Sequence, residues 1–398
     1  MTGTLAEIRR RVVSGSGVLL TLLAFVMALA VSAVLIAVSD PDVVDALPYF
    51  FAAPGDALGA MWESVSTAYW SLLTGSVINP GADSVRGAFA PIGQTLVNAA
   101  PLIAAGLAFA LPFRTGLFYI GGEGAIVLGA ICAGYVGFAF DLPVGLHIVV
   151  AIAAGLIGGA VWGGIPGLLK ARTGAHEVIT TIMLNYVALY LIAYLLTTSS
   201  FQRPGRSDPI SPVVAASAQL PALIPGFRAN LGIVLAVLGA IVMGWLLTRS
   251  TLGFRFRAVG SNPDAARNAG MSVGRSYVEV MLIAGAFAGL AGGIEVLGTQ
   301  KTLTGGISAG LGFDAITVAL LGRAQPLGTV LAGLLFGALR AGGIAMQGET
   351  GTPIDIVLVV QSLVVLFIAA PPLVRSVFRI KAVERGGFTP APKEASSL

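Results

Sequence analysis

Five ionisable residues lie within or at the edge of long apolar runs: Glu123, Glu177, Glu295, Asp314 and Arg340. A charge in a bilayer core is costly, so such residues face a bundle interior or a wet cavity. Their chemistry there is ion pairing, ligand contact or proton exchange. Glu295 reads as reaching water near an outer end, and Glu177 as an interfacial residue near an inner end. Asp314 and Arg340, on adjacent runs, read first as a structural ion pair and second as a substrate contact. Two glycine-rich stretches accompany the acids: Gly121-Gly122-Glu123-Gly124, and Gly305-Gly306 with Gly310-Leu311-Gly312. Paired glycine interruptions in two halves of a transporter point to broken helices whose freed amides hold polar ligand groups. Ordinary kinks account for the same residues equally well.

The catalytic alternatives lack their residues. There is no G-x-x-x-x-G-K-[ST] phosphate loop, nucleophile elbow or zinc-protease helix. Cys132 is the single cysteine, which excludes an intrachain disulfide, and His147 and His176 stand far apart. No catalytic residue, metal site or cofactor is assigned to the chain.

The elements that must position these residues are helices in a membrane. Of 398 residues, 56% are hydrophobic and 11% charged, with 53 glycines. Soluble domains carry about 25% charged residues. Apolar runs near 18–38, 93–113, 118–138, 148–168, 178–197, 230–248, 277–297, 306–322, 327–346 and 356–374 predict about ten transmembrane helices; each approaches the roughly 20 residues a bilayer requires. The third and eighth start in glycine-rich sequence and are expected to be broken or re-entrant. The first follows Arg9, Arg10 and Arg11 and exceeds a signal peptide's apolar core, so it reads as a retained helix.

Lysine and arginine set the orientation. With both termini cytoplasmic, the outside segments hold only Arg86, Arg203, Arg206, Arg228 and Lys301. The net charge of +4 then reflects topology, and no nucleic acid is expected. The fold class is an all-α membrane bundle. Its divisions are residues 1–17, a cytoplasmic N-terminus; 18–92, a first helix with an extracytoplasmic segment of short interfacial helices; 93–374, a core with a cytoplasmic loop at 249–276; and 375–398, a cytoplasmic tail, disordered from Gly386 to Leu398. The proline-rich segment 198–229 reads as an ordered loop or docking surface.

Within 249–276, Ser261 or Asn262 can cap a helix whose first turn holds Pro263 and whose end is Gly270. This two-turn helix is either a capped surface element or a contact for a motor protein. Gly155, Gly159, Gly163 and Gly167, then Gly285, Gly289 and Gly293, then Gly333 and Gly337 recur every four residues. Such stripes let helix backbones approach closely and predict one tightly packed bundle.

The motifs have a family resemblance. Gly116-Leu117-Phe118-Tyr119-Ile120-Gly121-Gly122-Glu123-Gly124, the segment Glu177 to Tyr186, the loop Gly260 to Met271, and the stretch Phe313 to Arg323 with Pro326-Leu327-Gly328 and Phe336 to Gly342 resemble ABC importer permeases of the branched-chain amino acid, ribose and nucleoside type. The resemblance spans about residues 90–375, and the long N-terminal region is similar to the larger permease of nucleoside importers. It implies an ATP-driven importer subunit taking up nucleosides or related sugars by alternating access. The implied location is the bacterial cytoplasmic (inner) membrane. The implied partners are a paralogous second permease, a cytoplasmic ABC ATPase carrying ATP and Mg, and an extracytoplasmic substrate-binding lipoprotein. It implies a substrate path at Phe118, Tyr119, Gly121, Gly122, Glu123, Asn185 and Asp314. It implies coupling to the ATPase through Asn262, Pro263, Asp264, Ala265, Ala266, Arg267, Asn268 and Gly270. The sequence departs from the family pattern at Tyr119, Ala125 and His176, where Asn, Gln and Asn are usual, which opens the substrate to change. The rival reading is a secondary transporter driven by an ion gradient, which also uses intramembrane carboxylates.

Overall fold

The computed structural model describes residues 17–351, 353–370, 373 and 376–378. The expected cytoplasmic N-terminus and the disordered tail from Gly386 lie outside the described residues. The described chain is helical, and its only bridges are the isolated pairs Ile210–Thr304 and Ala222–Asn230. The elements are α1 (Gly17–Ser39), α2 (Pro41–Ala46), α3 (Pro54–Ser76), α4 (Val85–Arg114), α5 (Gly122–Ala139), α6 (Leu146–Thr173) and α7 (Glu177–Leu195). They continue as α8 (Gly232–Arg249), α9 (Thr251–Ser261), α10 (Pro263–Asn268), α11 (Val273–Ile294), α12 (Leu311–Leu321), α13 (Pro326–Thr350) and α14 (Ile354–Ala369).

Each of the ten apolar runs contains a helix among its described residues, but ten complete spans is more than the structure bears out. Among the described residues, seven helices are long and apolar enough to cross a membrane, and an eighth span requires joining α1 to α2 across a 74° bend. The shortfall includes α12. Its 11 residues reach about 16 Å at 1.5 Å per residue, roughly half a bilayer core. The eighth run is shortened because residues 305–310 form turns, with Ala309 and Gly310 both at positive φ.

The glycine stripes build the centre. α6 and α11 share the most extensive interface in the chain. A Cβ at Gly285 would lie 2.2 Å from the Gly159 carbonyl, and one at Gly289 2.2 Å from that of Gly155. α5 joins the same crossing through Gly129, where a Cβ would meet the Gly289 Cα at 2.3 Å. Gly333 and Gly337 of α13 seat on Ile103 and Ala99 of α4. Within a bilayer such contacts are what hold helices together, because lipid competes for every apolar surface.

Two regions differ from expectation. Segment 39–92 was expected to carry only short interfacial helices, yet α3 runs 23 residues and packs on α13. Small residues on one face permit this: a Cβ at Gly342 would strike the Leu72 carbonyl at 2.2 Å, and Ser71 Oγ donates to Glu349 Oε2. In 249–276 there are two helices, not one. The unforeseen α9 starts at Ser250, whose Oγ accepts from Gly253 N at 2.9 Å. It docks on α4 at Gly260, where a Cβ would meet the Arg114 carbonyl at 2.4 Å. α10 follows the expected plan. Asn262 Oδ1 accepts from the amides of Asp264 and Ala265, both at 3.0 Å, and Gly270 has φ +82°.

The segment after α7 is an ordered loop. Its backbone pairs with the stretch after α11, Ser211 N to Leu303 O at 3.1 Å and Leu220 N to Leu297 O at 3.0 Å. Buried His147 pins it from below, with Nδ1 at 2.8 Å from Ser217 Oγ and Nε2 at 2.9 Å from Val136 O.

Candidate functional site

The chain between α4 and α5 has no regular structure from residue 117 to 120 and the helix begins at Gly122, so the start of the third apolar run lies ahead of the helix, at its glycines. The irregular stretch leaves backbone groups without helical partners. Asn185 of α7 satisfies two of them: its Oδ1 accepts from Gly124 N and its Nδ2 donates to Ile120 O, both at 2.9 Å. Asn185 is thus a clamp on this stretch. Replacing it with leucine is expected to cost about 1–3 kcal/mol for each buried group left unpaired, read as a lower melting temperature of the purified protein. Unchanged melting would remove the clamp assignment.

The short helix α12 meets α5 at Glu123. Gly312 N, in the first turn of α12, donates to Glu123 Oε2 at 2.7 Å. The Glu123 carboxylate therefore sits in the first turn of α5 and at the amino end of α12. Both helix ends carry partial positive charge that favours an anion. A Cβ at Gly312 would lie 2.5 Å from both Glu123 N and Oε2, so only glycine lets the two turns touch.

Around this junction opens a cavity of about 610 Å³, within the range of small-molecule sites. α5 and its approach supply Ile120 and Glu123, α7 supplies Asn185 and Tyr186, and the α12 region supplies Ser308 and Phe313. The rings of Tyr186 and Phe313 are each 55% exposed.

The other expected path residues lie elsewhere. Tyr119 is buried against Phe109, with ring centroids 5.6 Å apart, and Gly122 faces the same Phe109 ring. Gly121 packs on Thr181, and Phe118 is exposed beside Phe113. Asp314 is not among the residues lining the cavity. The expected direct Asp314–Arg340 pair is not among the ion pairs of the described residues; the two charges interact only at longer range, as do Arg340 and Glu295. Glu295 does not reach water. It is 8% exposed and accepts from Gln300 Nε2 at 3.0 Å within the π-helical turn Glu295–Gln300. Tyr186, Phe313 and Ser308 were not foreseen as lining. Ile182, Asn185, Tyr186 and Leu189 form an i, i+3, i+4, i+7 stripe, so counting helical turns from Asn185 finds three of its neighbours.

On the opposite, arginine-rich side, Lys170 Nζ meets Glu177 Oε2 at 2.6 Å and lies 5.4 Å from the centre of the Tyr277 ring. Glu279 pairs with both Arg255 and Arg275. Tyr277 packs on both the main core and the small cluster of Val259, Ala266 and Val273, which joins α9 and α10 to α11.

Comparison with known proteins agrees with this architecture. The guanosine ABC transporter permease NupP of Bacillus subtilis is 40% identical over 79% of this chain and 88% of its own. The glucose ABC transporter permease TsgB13 of Haloferax volcanii is 38% identical over 69% of this chain and 75% of its own. The nucleoside ABC transporter permease NupB of Lactococcus lactis is 37% identical over 72% and 81%. No solved structure matches. Residues 92–369 match the family described as branched-chain amino acid transport system / permease component. Seven helices able to cross a membrane, two helix starts meeting at Glu123 inside the bundle, and a family match over most of its length make this chain a membrane-spanning transport subunit of the branched-chain amino acid transport permease family.

Proposed function

We propose that this permease takes up nucleosides, or related sugars, as part of an ABC importer in the bacterial inner membrane. The observation that carries the reading is the cavity at the Glu123–Gly312 junction, where two exposed rings, Tyr186 and Phe313, stand beside Glu123, Asn185 and Ser308. Flat aromatic faces suit a nucleobase, and the polar groups suit hydroxyls. The 40% identity to a guanosine permease supports the same substrate class. Uptake of labelled guanosine by cells expressing the whole transporter, abolished by deleting this subunit, tests it; unchanged uptake in the deletion overturns it.

ATP and Mg act on a separate cytoplasmic ATPase, and an extracytoplasmic lipoprotein delivers substrate. A paralogous second permease completes the path. Supporting this, only 17% of α7's apolar window is buried within the chain, yet α7 forms one wall of the cavity. The bundle has ten membrane-embedded segments, two of them broken, with both termini cytoplasmic; residues 93–374 form the permease core and 375–398 a cytoplasmic tail. Asp314 and Arg340 act as a charge couple between α12 and α13.

The ATPase is gripped by Asn262, Pro263, Asp264, Ala265, Ala266, Arg267, Asn268 and Gly270. Arg267 and Asp264 stand exposed on α10, 3.1 Å apart, and the Val259–Ala266–Tyr277 packing carries movement of α10 into α11. Replacing Arg267 with glutamate sets two acids one turn apart. Substrate-stimulated ATP hydrolysis is expected to fall at least about tenfold, equivalent to about 1.4 kcal/mol at the contact, while the subunits still copurify. Normal uptake by this variant would end the coupling assignment.

A further inference from the structure

We infer that Glu123 and Ser308 form a reader of adjacent ring hydroxyls, so that the permease itself, and not only its delivery partner, selects ribose-type over deoxyribose-type substrates. The inference rests on the nucleoside or sugar reading above and names what that site recognises. Glu123 commits one oxygen, Oε2, to Gly312 N, which leaves Oε1 without a hydrogen bond among the described residues. A carboxylate only accepts, so the free oxygen calls for a donor from a ligand.

Ser308 supplies a second, separate observation. It is 5% exposed, lines the same cavity, and its hydroxyl has no hydrogen-bond partner among the described residues. The rest of the residue is enclosed, so the cavity is where that hydroxyl finds a partner. Ser308 also opens the turn that Glu123 holds: its carbonyl accepts from Leu311 N at 2.7 Å, and the next residue, Gly312, donates to Glu123. The two side chains are thereby fixed to one short turn. Asn185 adds the second hydrogen of its Nδ2, the first being committed to Ile120 O. The result is a charged acceptor, a hydroxyl that both donates and accepts, and an N–H, beside two rings. A pair of neighbouring hydroxyls on a furanose or pyranose matches this set: one donates to Glu123 Oε1, and the other exchanges a hydrogen bond with Ser308. A 2′-deoxy sugar leaves part of the set unsatisfied, and sites built to bond a hydroxyl discriminate strongly against its absence.

The test uses the complete transporter with its own binding lipoprotein, carrying wild-type permease, Ser308→Ala or Glu123→Gln. Glutamine keeps a carbonyl to accept from Gly312 N. Uptake efficiency is measured for guanosine and 2′-deoxyguanosine, and for glucose and 2-deoxyglucose. In wild type the hydroxylated member of the transported pair is expected to lead by at least about tenfold; in both variants the lead should shrink to within about twofold. Because the lipoprotein is the same throughout, the change in ratio reports the permease alone. An unaltered ratio in both variants overturns the reader, as does equal loss of both members, which would mark a purely structural role. If wild type moves neither pair, the substrate class proposed above fails and the reader falls with it.

Discussion

Permease carrying Gly289→Leu is expected to fail to accumulate as a folded protein. A Cβ at position 289 would lie 2.2 Å from the Gly155 carbonyl and 3.0 Å from the Gly159 Cα, and a Cβ at Gly129 would reach the Gly289 backbone from a third helix. Three backbones thus converge on one residue that has no side chain. Relief requires moving α5, α6 or α11 as a body, since backbone cannot rotate away as a side chain does. Ordinary overpacking costs about 1–3 kcal/mol. Separating main chains at the largest interface should exceed about 4 kcal/mol, a range few substitutions reach. Gly293 provides the control, since a Cβ there would have nothing nearer than 3.4 Å. Thermal denaturation of the purified protein should show Gly293→Ala near wild type and Gly289→Leu absent or melting far lower. Equal melting of the two would mean the glycine crossing does not organise the bundle.

The second large effect is expected at the junction. Gly312→Ala should abolish transport while leaving assembly with partners intact. The added methyl meets the Glu123 backbone as well as its carboxylate, so the capping contact cannot re-form by a rotamer change. Shifting a reactive constellation by about 1 Å costs on the order of a hundredfold in enzymes, and a similar loss in uptake is expected here. The other glycines of the stretch separate this from a general demand for flexibility. Gly305 and Gly306 have nothing within 4 Å of a Cβ, and Gly310 is constrained only by its φ of +78°. Alanine at 305 or 306 should therefore transport normally, and alanine at 310 should cost about 1–2 kcal/mol of local strain. Full uptake by Gly312→Ala would show that α5 and α12 do not work through their contact.

Much of this architecture was readable from sequence because it depends on one-dimensional signals. Run length located the helices, four-residue glycine spacing marked the faces that now pack, and Asn262, Pro263 and Gly270 announced α10. The failures have physical causes. Hydropathy averages over a helix, so it missed α3, whose buried face of small residues is matched to Gly342. It also counted the eighth run among the ten spans, although the glycine-rich start had marked that run as broken or re-entrant. For the site, family motifs pointed to Glu123 and Asn185, and both line the cavity. They could not separate Tyr119, which is core, from Tyr186, which faces the opening, because only the fold decides which side chains look inward. The assignment of Asp314 and Arg340 to a direct pair assumed that adjacent helices bring charges into contact. The junction instead fixes α12 by its amino end, through Glu123.

The glycine crossing also has a genetic consequence. Every missense change reachable from a glycine codon by one base substitution introduces a residue with at least a Cβ. At Gly159, Gly285, Gly289 and Gly292, that first carbon already falls within 2.3 Å of a neighbouring carbonyl oxygen. Even the smallest mutational step at these codons is therefore a steric event between helices, and compensation from elsewhere would have to move a backbone. The centre of this permease is held fixed by what its codons can become, while the cavity-lining side chains a few residues away remain free to change with the substrate.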